Sequence, residues 1–411
     1  MRKSHPVPSV APEARLNHEI PLEPKTFIPW DRILVFVVAT ILIAAIYFFV
    51  APRFANLRSV DMSYEKAQIL EVLKLESAGT QEYRQGQSEA ISAEYRGVLT
   101  SGKFKGEEVT LTGFFPNPAI ENRLPEAGDR VLVGTPTDDV ATAQDAEWRY
   151  DQYDRSRPMI LLGLAFSAIF IILGRSKGLA ALLALGLTLA ALLLNFIPAI
   201  LVGFPILPAT LLLCLFSTFV TLYLVLGGHE KTWVTLIGCF GGVLLAALLA
   251  TLMQRILHLN GVSGEESFML YSYNPQKPMD LQGVIFAMIL IGSLGAVMDV
   301  AMDLASSLYE IRVHAPQIGQ YQLFRSGLSI GQDTMGTMAN TLILAYAGSS
   351  LPTILIQVLY SPTLSATLNQ ESMIIEMLNS LIGSMGLMLT IPLTAIVGSI
   401  IYSRHHQRAA V

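Results

Sequence analysis

The sequence predicts a mostly α-helical polytopic membrane protein: about eight transmembrane helices, with a small extracytoplasmic β-rich domain between helices 1 and 2. Three observations predict it. Apolar residues make up 52% of the 411 and charged residues only 14%, with a mean hydropathy of +0.50, a balance unlike that of ordinary soluble domains. Apolar runs near the ~20 residues needed to cross a bilayer recur along the chain. One polar stretch, residues 51–157, is long enough to bury a core of its own.

The runs fall near 33–50, 159–173, 178–194, 199–226, 232–252, 281–304, 334–358 and 373–402. The first divides a Pro-rich tail, 1–30, expected to be disordered, from the β-rich domain, so 31–50 reads as an anchoring helix; about thirty residues precede it, too many for a cleaved leader. Residues 158–403 make a seven-helix membrane domain and 404–411 a short tail. Basic residues set the orientation. Connections on the side of both termini hold twelve, including Arg32, Arg175, Lys177, Lys231, Arg312 and Arg325, whereas the short opposite loops hold Arg255 and Lys277. Both termini are therefore expected in the cytoplasm.

In the 51–157 unit, "EEVTLTGFF" alternates Val109, Leu111, Gly113 and Phe115 against polar neighbours, and "GDRVLVG" follows a Gly128–Asp129 turn signal; both read as strands. With "AISAEYRGVL" and "AQILEVLKL" they suggest a small antiparallel barrel or sandwich, although the last segment also fits an amphipathic helix. The unit carries 18 acidic and 13 basic residues, which argues against a nucleic-acid surface.

Soluble-enzyme signatures fail. "HEKTW" opens like a zinc-protease motif but has Trp233 where the second histidine belongs, and "GVSGE" ends in Glu265 where a nucleophile elbow needs glycine. "GRSKG" reads as a tight turn between helices. Cys214 and Cys239 lie inside spans and read as small buried hydrophobes. No cofactor or metal is expected.

The chemistry is in the sixth span. At about 100° per residue, Gly292, Gly295, Ala296, Asp299, Asp303, Ser306 and Glu310 fall within about 60° of one line. A central aspartate facing lipid costs ~3 kcal/mol, so this face is expected to turn toward other helices or water. Asp299 and Asp303 are the leading proton- or ion-coupling candidates, with Glu310 at the solvated cytoplasmic end. In the next span Asp333, Thr337, Asn340 and Thr341 share a face. Asp333 is a coupling candidate or an N-cap; Asn340 is either an ion ligand or interhelical glue. The two spans are antiparallel, so the two polar sets could face one another. Asp280 is a plausible N-cap for the sixth span, and "GCFGG" at 238–242 could let two helices touch.

At "GAVMDVAMDLASSLYEI", "IGQDTMGTMANTLILAYAGSSLP", "GSMGLMLTIPLTAI" and "YRGVLTSGKFKGEEVTL…GDRVLV" the sequence resembles the YibE/F-like membrane proteins over most of residues 60–402. This implies a bacterial multi-span protein with an extracytoplasmic insert. A more distant resemblance is to the last three spans of RND-type proteins, including SecD and SecF, where a membrane-embedded aspartate takes part in proton coupling. Asp299 would hold that position and Asn340 and Thr341 the facing polar motif; Asp303 has no counterpart there.

The expected function is a proton- or ion-coupled transporter or export accessory that takes a proton or a cation and pairs as a homodimer or with a related membrane subunit. The alternative is a non-transporting assembly factor or receptor whose outer domain binds a partner. An enzyme, for example an intramembrane aspartyl protease, is disfavoured because the protease's glycine-aspartate and tyrosine-aspartate motifs are missing.

Overall fold

The computed structural model describes residues 30–55, 62–83, 86–115, 124–136, 142–262, 264–272 and 278–409. The expected N-terminal tail lies outside the described residues. A 26-residue helix α1 (Trp30–Ala55) leads into five strands, β1 (Ser63–Tyr83), β2 (Gly86–Leu99), β3 (Glu108–Phe115), β4 (Arg130–Thr135) and β5 (Trp148–Tyr153). They close a barrel in the order β1-β2-β3-β5-β4. The segment that also fitted a helix is the central part of β1.

Period-two patterning drives the closure. β3 alternates exposed and buried along its length, with Val109, Leu111 and Phe115 inside, where each large apolar side chain contributes ~1.5–3 kcal/mol by leaving water. Gly128 takes φ 97° in the turn before β4, a conformation glycine adopts without steric cost. The sheet is not wholly antiparallel, because β5 lies parallel to β3 and antiparallel to β4. β5 was missed in the sequence because "WRYDQY" buries little beyond Trp148, whose indole N–H donates to the Ala143 carbonyl at 2.8 Å. Beyond the Ile91–Phe115 pair, β1 and β2 continue as a two-stranded ribbon.

The rest is helical: α2 (Ser156–Ala190), a π-helical turn (Ala191–Phe196), α3 (Ile197–Val202), α4 (Ile206–Leu226), α5 (Glu230–Ile256), α6 (Glu265–Ser272), α7 (Leu281–His314), α8 (Gln320–Ser349), α9 (Leu351–Tyr360), α10 (Leu364–Leu368) and α11 (Glu371–Ala409). Among the described residues, six helical stretches are long and apolar enough to cross a membrane, and seven if the bent pair α8–α9 counts as one. The longest, Ser156–Val202, is 47 residues and is not straight. Arg175 takes φ 49° and ψ −128°, and a Cβ on Gly178 would land on the Phe170 carbonyl oxygen. The chain therefore doubles back there, as expected of "GRSKG".

Several boundaries differ from the sequence expectation. Residues 199–202 belong to the preceding helix, which ends at Gly203 with φ 95°; Pro205 caps α4. The expected span 334–358 instead begins at Gln320 and bends by 63° beyond Ser349. Its first turns, "QYQLFRSGLSIGQD", are too polar to read as a bilayer span but are good helix. Likewise, α11 continues to Ala409, through most of the expected tail.

α11 is the central post, packed against α5, α7 and α8. Lipid tails are as apolar as leucine, so such contacts depend on close fit more than on the hydrophobic effect. Glycines supply the fit. A Cβ at Gly238 would strike Thr394, and one at Gly242 would strike Thr390 and come within 3.2 Å of the Gly386 carbonyl oxygen. Gly331 takes Ile391 in the same manner. A second apolar core joins α1, α2 and α4 beside the first.

Candidate functional site

The N-cap of α7 is Asp280, whose Oδ1 accepts from the Gly283 amide at 3.0 Å, as the sequence suggested. From there Asp299 lies about 28 Å and Asp303 about 34 Å along the helix. The buried face of α7, including Ile289, Leu290, Val297, Ala301 and Leu304, packs into the first core. The opposite face carries Gly292, Gly295, Asp299, Asp303 and Glu310, all exposed, with Ala296 and Ser306 half-buried at its edge.

α8 repeats the arrangement. Its N-cap is Gly319, so Asp333 caps nothing and stands about 20 Å into the helix. Leu323, Gly327, Gly331, Ala339 and Leu342 face the bundle, while Asp333, Thr337, Asn340 and Thr341 are exposed. Thr337 and Thr341 turn their hydroxyls back onto helix carbonyls at 2.9 Å, the usual recourse of threonine in an apolar helix.

Two contacts set the register of α7 against α8. A Cβ at Gly292 would collide with the Tyr346 hydroxyl, and one at Gly327 would lie 3.1 Å from Leu308. In an antiparallel pair this places Asp303 level with Asp333, and Ala296 with Asn340, to within about one turn. The structure thus brings the two polar sets to one depth. It leaves both exposed on the outside of this chain's bundle, where the sequence expectation turned the acidic face toward other helices or water and let the two sets face one another. Within the described residues the side chains of Asp299, Asp303, Asp333 and Asn340 make no hydrogen bond or ion pair. Glu310 does have a partner, Lys231 of α5 at 3.0 Å.

Close by is a cavity that sequence reasoning missed. It measures about 690 Å³ and lies between the π-helical turn, the first turns of α7 and α11, and the α8–α9 bend. Gly292 and Tyr346 line it, with Ser349, Ser350, Thr353, Glu376 and Asn379 as its other polar groups. Asn379 is only 2% exposed and its Oδ1 has no donor; the Tyr346 hydroxyl is also unpaired. The lone amide of Asn379 inside an apolar span was the available signal, the same one that singled out Asn340. Among the described residues no cluster of histidine, cysteine and carboxylate side chains could hold a metal ion, and both cysteines are free and buried.

Long apolar helices packed through glycines, with acids on one helix face, define a helical membrane protein carrying a small β-barrel between its first two helices. The chain belongs to the YibE/F-like family, whose model matches residues 162–404. The match begins after the barrel, so it is narrower than the resemblance over 60–402. No curated protein and no solved structure matches the chain.

Proposed function

We propose that this protein is a proton- or ion-coupled membrane transporter or export accessory, working across a bacterial cytoplasmic membrane that it crosses eight times, with both termini in the cytoplasm. The α7 acids are its coupling groups, and Asp299 is the group that changes protonation. The observation that carries this reading is the outward, unpaired position of Asp299 and Asp303 on a helix otherwise apolar enough to span. Hydrocarbon cannot solvate a carboxylate, so a second copy, a related subunit or a water-filled path covers that face in the membrane. We favour a homodimer, in which Gly295, where nothing lies within 4 Å of a Cβ, lets two α7 helices approach. The 690 Å³ cavity adjoins the acidic face through Gly292 and has the size and mixed lining of a small-molecule site; the bend of α8–α9 beside it is the kind of helix break that marks transporter sites. The Asp299 position in the RND-like resemblance points the same way.

Proton flux into proteoliposomes tests the reading. Asp299→Asn abolishes flux while the melting temperature stays within a few degrees of the parent; flux at the parental rate in a folded Asp299→Asn protein rejects the coupling role.

A second reading, a non-transporting assembly factor or receptor, is favoured by one observation: Leu70, Leu73 and Leu75 of β1 and Phe114 of β3 are exposed on the barrel, as apolar side chains of a partner surface are. Full function of the Asp299→Asn/Asp303→Asn protein, together with its loss in Leu73→Glu/Phe114→Glu, selects this reading.

A further inference from the structure

At the end of the bundle where α7 finishes, a cavity of about 1010 Å³ opens among α1, the chain reversal in α2, the α4–α5 turn and the α7–α8 turn. Four cationic side chains from four helices line it: Arg32 of α1, Lys177 of α2, Lys231 of α5 and Arg312 of α7. His229 stands beside them, and Glu230 is the one carboxylate among the described residues that line it.

Three of these cations, Arg32, Lys231 and Arg312, are half-buried, and Lys177 is exposed at the rim. The Nε atoms of Arg32 and Arg312 are both buried and lack an acceptor. Arg312 uses Nη1 on the Ile318 carbonyl at 2.6 Å. Arg32 lies over the α4–α5 turn, where Gly227 has φ 82° and a Cβ would sit 3.0 Å from a guanidinium nitrogen. Glycine at 227 thus lets the backbone turn and gives the guanidinium room. Only Lys231 has a carboxylate partner, Glu310; among the described residues Arg32, Lys177 and Arg312 have none.

With Lys231 paired to Glu310 and Glu230 as a lining carboxylate, the cavity still holds an excess of positive charge; like charges repel one another, and an unmet guanidinium N–H is costly once shielded from water. An anion with several acceptor oxygens resolves both costs. A phosphate fits best, because guanidinium forks pair with it bidentately and lysine adds a point charge. The walls between the cations are apolar, including Val225, Leu226 and Val313, which suits a phosphate carried on an organic group more than a bare ion.

We infer that this cavity binds a phosphate-bearing anion, supplied either by the headgroup of an anionic membrane lipid or by a soluble phosphate ester. The inference does not rest on the coupling role of α7, because neither Asp299 nor Asp303 takes part.

The test compares the full-length protein with Arg32→Gln, Lys177→Gln and Arg312→Gln. Native mass spectrometry from detergent containing phosphatidylglycerol or phosphatidylcholine reads the lipid arm. Calorimetry of glycerol 3-phosphate and inorganic phosphate against protein in phosphatidylcholine nanodiscs reads the soluble arm. Selective retention of phosphatidylglycerol, weakened about fivefold by each neutralised charge, supports the site with lipid as the source. Saturable binding of glycerol 3-phosphate or inorganic phosphate, weakened by the same variants, supports it with a soluble source. Lys177 is exposed and has no partner to lose, so Lys177→Gln reports on binding even where an arginine variant is less stable. Absence of both bindings, or binding unchanged in folded variants, overturns the proposal.

Discussion

The hydroxyl of Tyr346 in α8 rests against the α-carbon of Gly292 in α7, in space that any side chain at 292 would fill. That contact aligns the polar faces of the two helices and also closes one wall of the 690 Å³ cavity. Gly292→Ala improves helix propensity by up to ~1 kcal/mol but pushes the Tyr346 ring aside, an overpacking cost of ~1–3 kcal/mol. The expected outcome is a lower melting temperature for Gly292→Ala, largely restored in Gly292→Ala/Tyr346→Phe, because the hydroxyl is the atom in collision. A thermal double-mutant cycle in detergent measures this coupling.

Among the described glycines, the tightest approach of a Cβ to backbone is at the α2 reversal, where Gly178 meets the Phe170 carbonyl. Backbone cannot swing away as a side chain can. Gly178→Val is therefore expected to destabilise by more than ~3 kcal/mol, and Gly242→Val, set against Thr390 and the Gly386 carbonyl, by a comparable amount. Expression and melting in nanodiscs check both, with Gly186→Ala as the control, since nothing lies within 4 Å of a Cβ there.

If two copies cover the acidic face, Gly295 comes near its counterpart. Gly295→Cys in a background with Cys214 and Cys239 replaced by alanine is expected to form a covalent dimer on mild oxidation in membranes. Leu248→Cys, exposed on α5, is expected to stay monomeric on the same gel. Equal cross-linking at both positions defeats the pairing.

The barrel is tied to the membrane domain by a small polar cluster. Asp154, only 8% exposed, receives hydrogen bonds from the Ser156 hydroxyl and amide and pairs with Lys66 of β1 at 3.3 Å. The Ser156 hydrogen bonds first, and the Lys66 ammonium after them, hold the Asp154 carboxyl below the usual carboxylate range. A depressed folded-state pKa means that this stabilisation is complete above the unfolded value of ~3.9 and is lost as pH falls through the folded value. Proteolysis between β5 and α2 is thus expected to rise only below about pH 4. Asp154→Asn should show the same sensitivity already at pH 7, which timed digestion in nanodiscs measures.

Much of the local structure was legible in the sequence. The alternation of Val109, Leu111 and Phe115 announces a half-buried strand, Asp280 a helix start, "GRSKG" a reversal and "GCFGG" a close helix contact, because each depends on a few neighbouring residues and on backbone sterics. α8 and β5 were harder. Polar residues at the start of α8 hide a helix that outlasts its apolar window, and the bend beyond Ser349 is marked by Pro352 in the first turn of α9, a break lying inside an apolar run that reads as one span. Asn379 and Tyr346 looked like ordinary span residues until three helices brought them to one cavity.

By itself the sequence determined that α7 has an acidic, small-residue face and an apolar one, since helical period and residue order allow no other division. Only the tertiary structure decided which way that face turns. The close contacts that glycines on α5 and α8 make with Thr390, Ile391 and Thr394 of α11 set a bundle into which the apolar side of α7 packs, so Asp299 and Asp303 are left exposed on the outside of a single chain. Direction depends on which face packs more closely, a comparison among helices far apart in sequence that no single segment encodes.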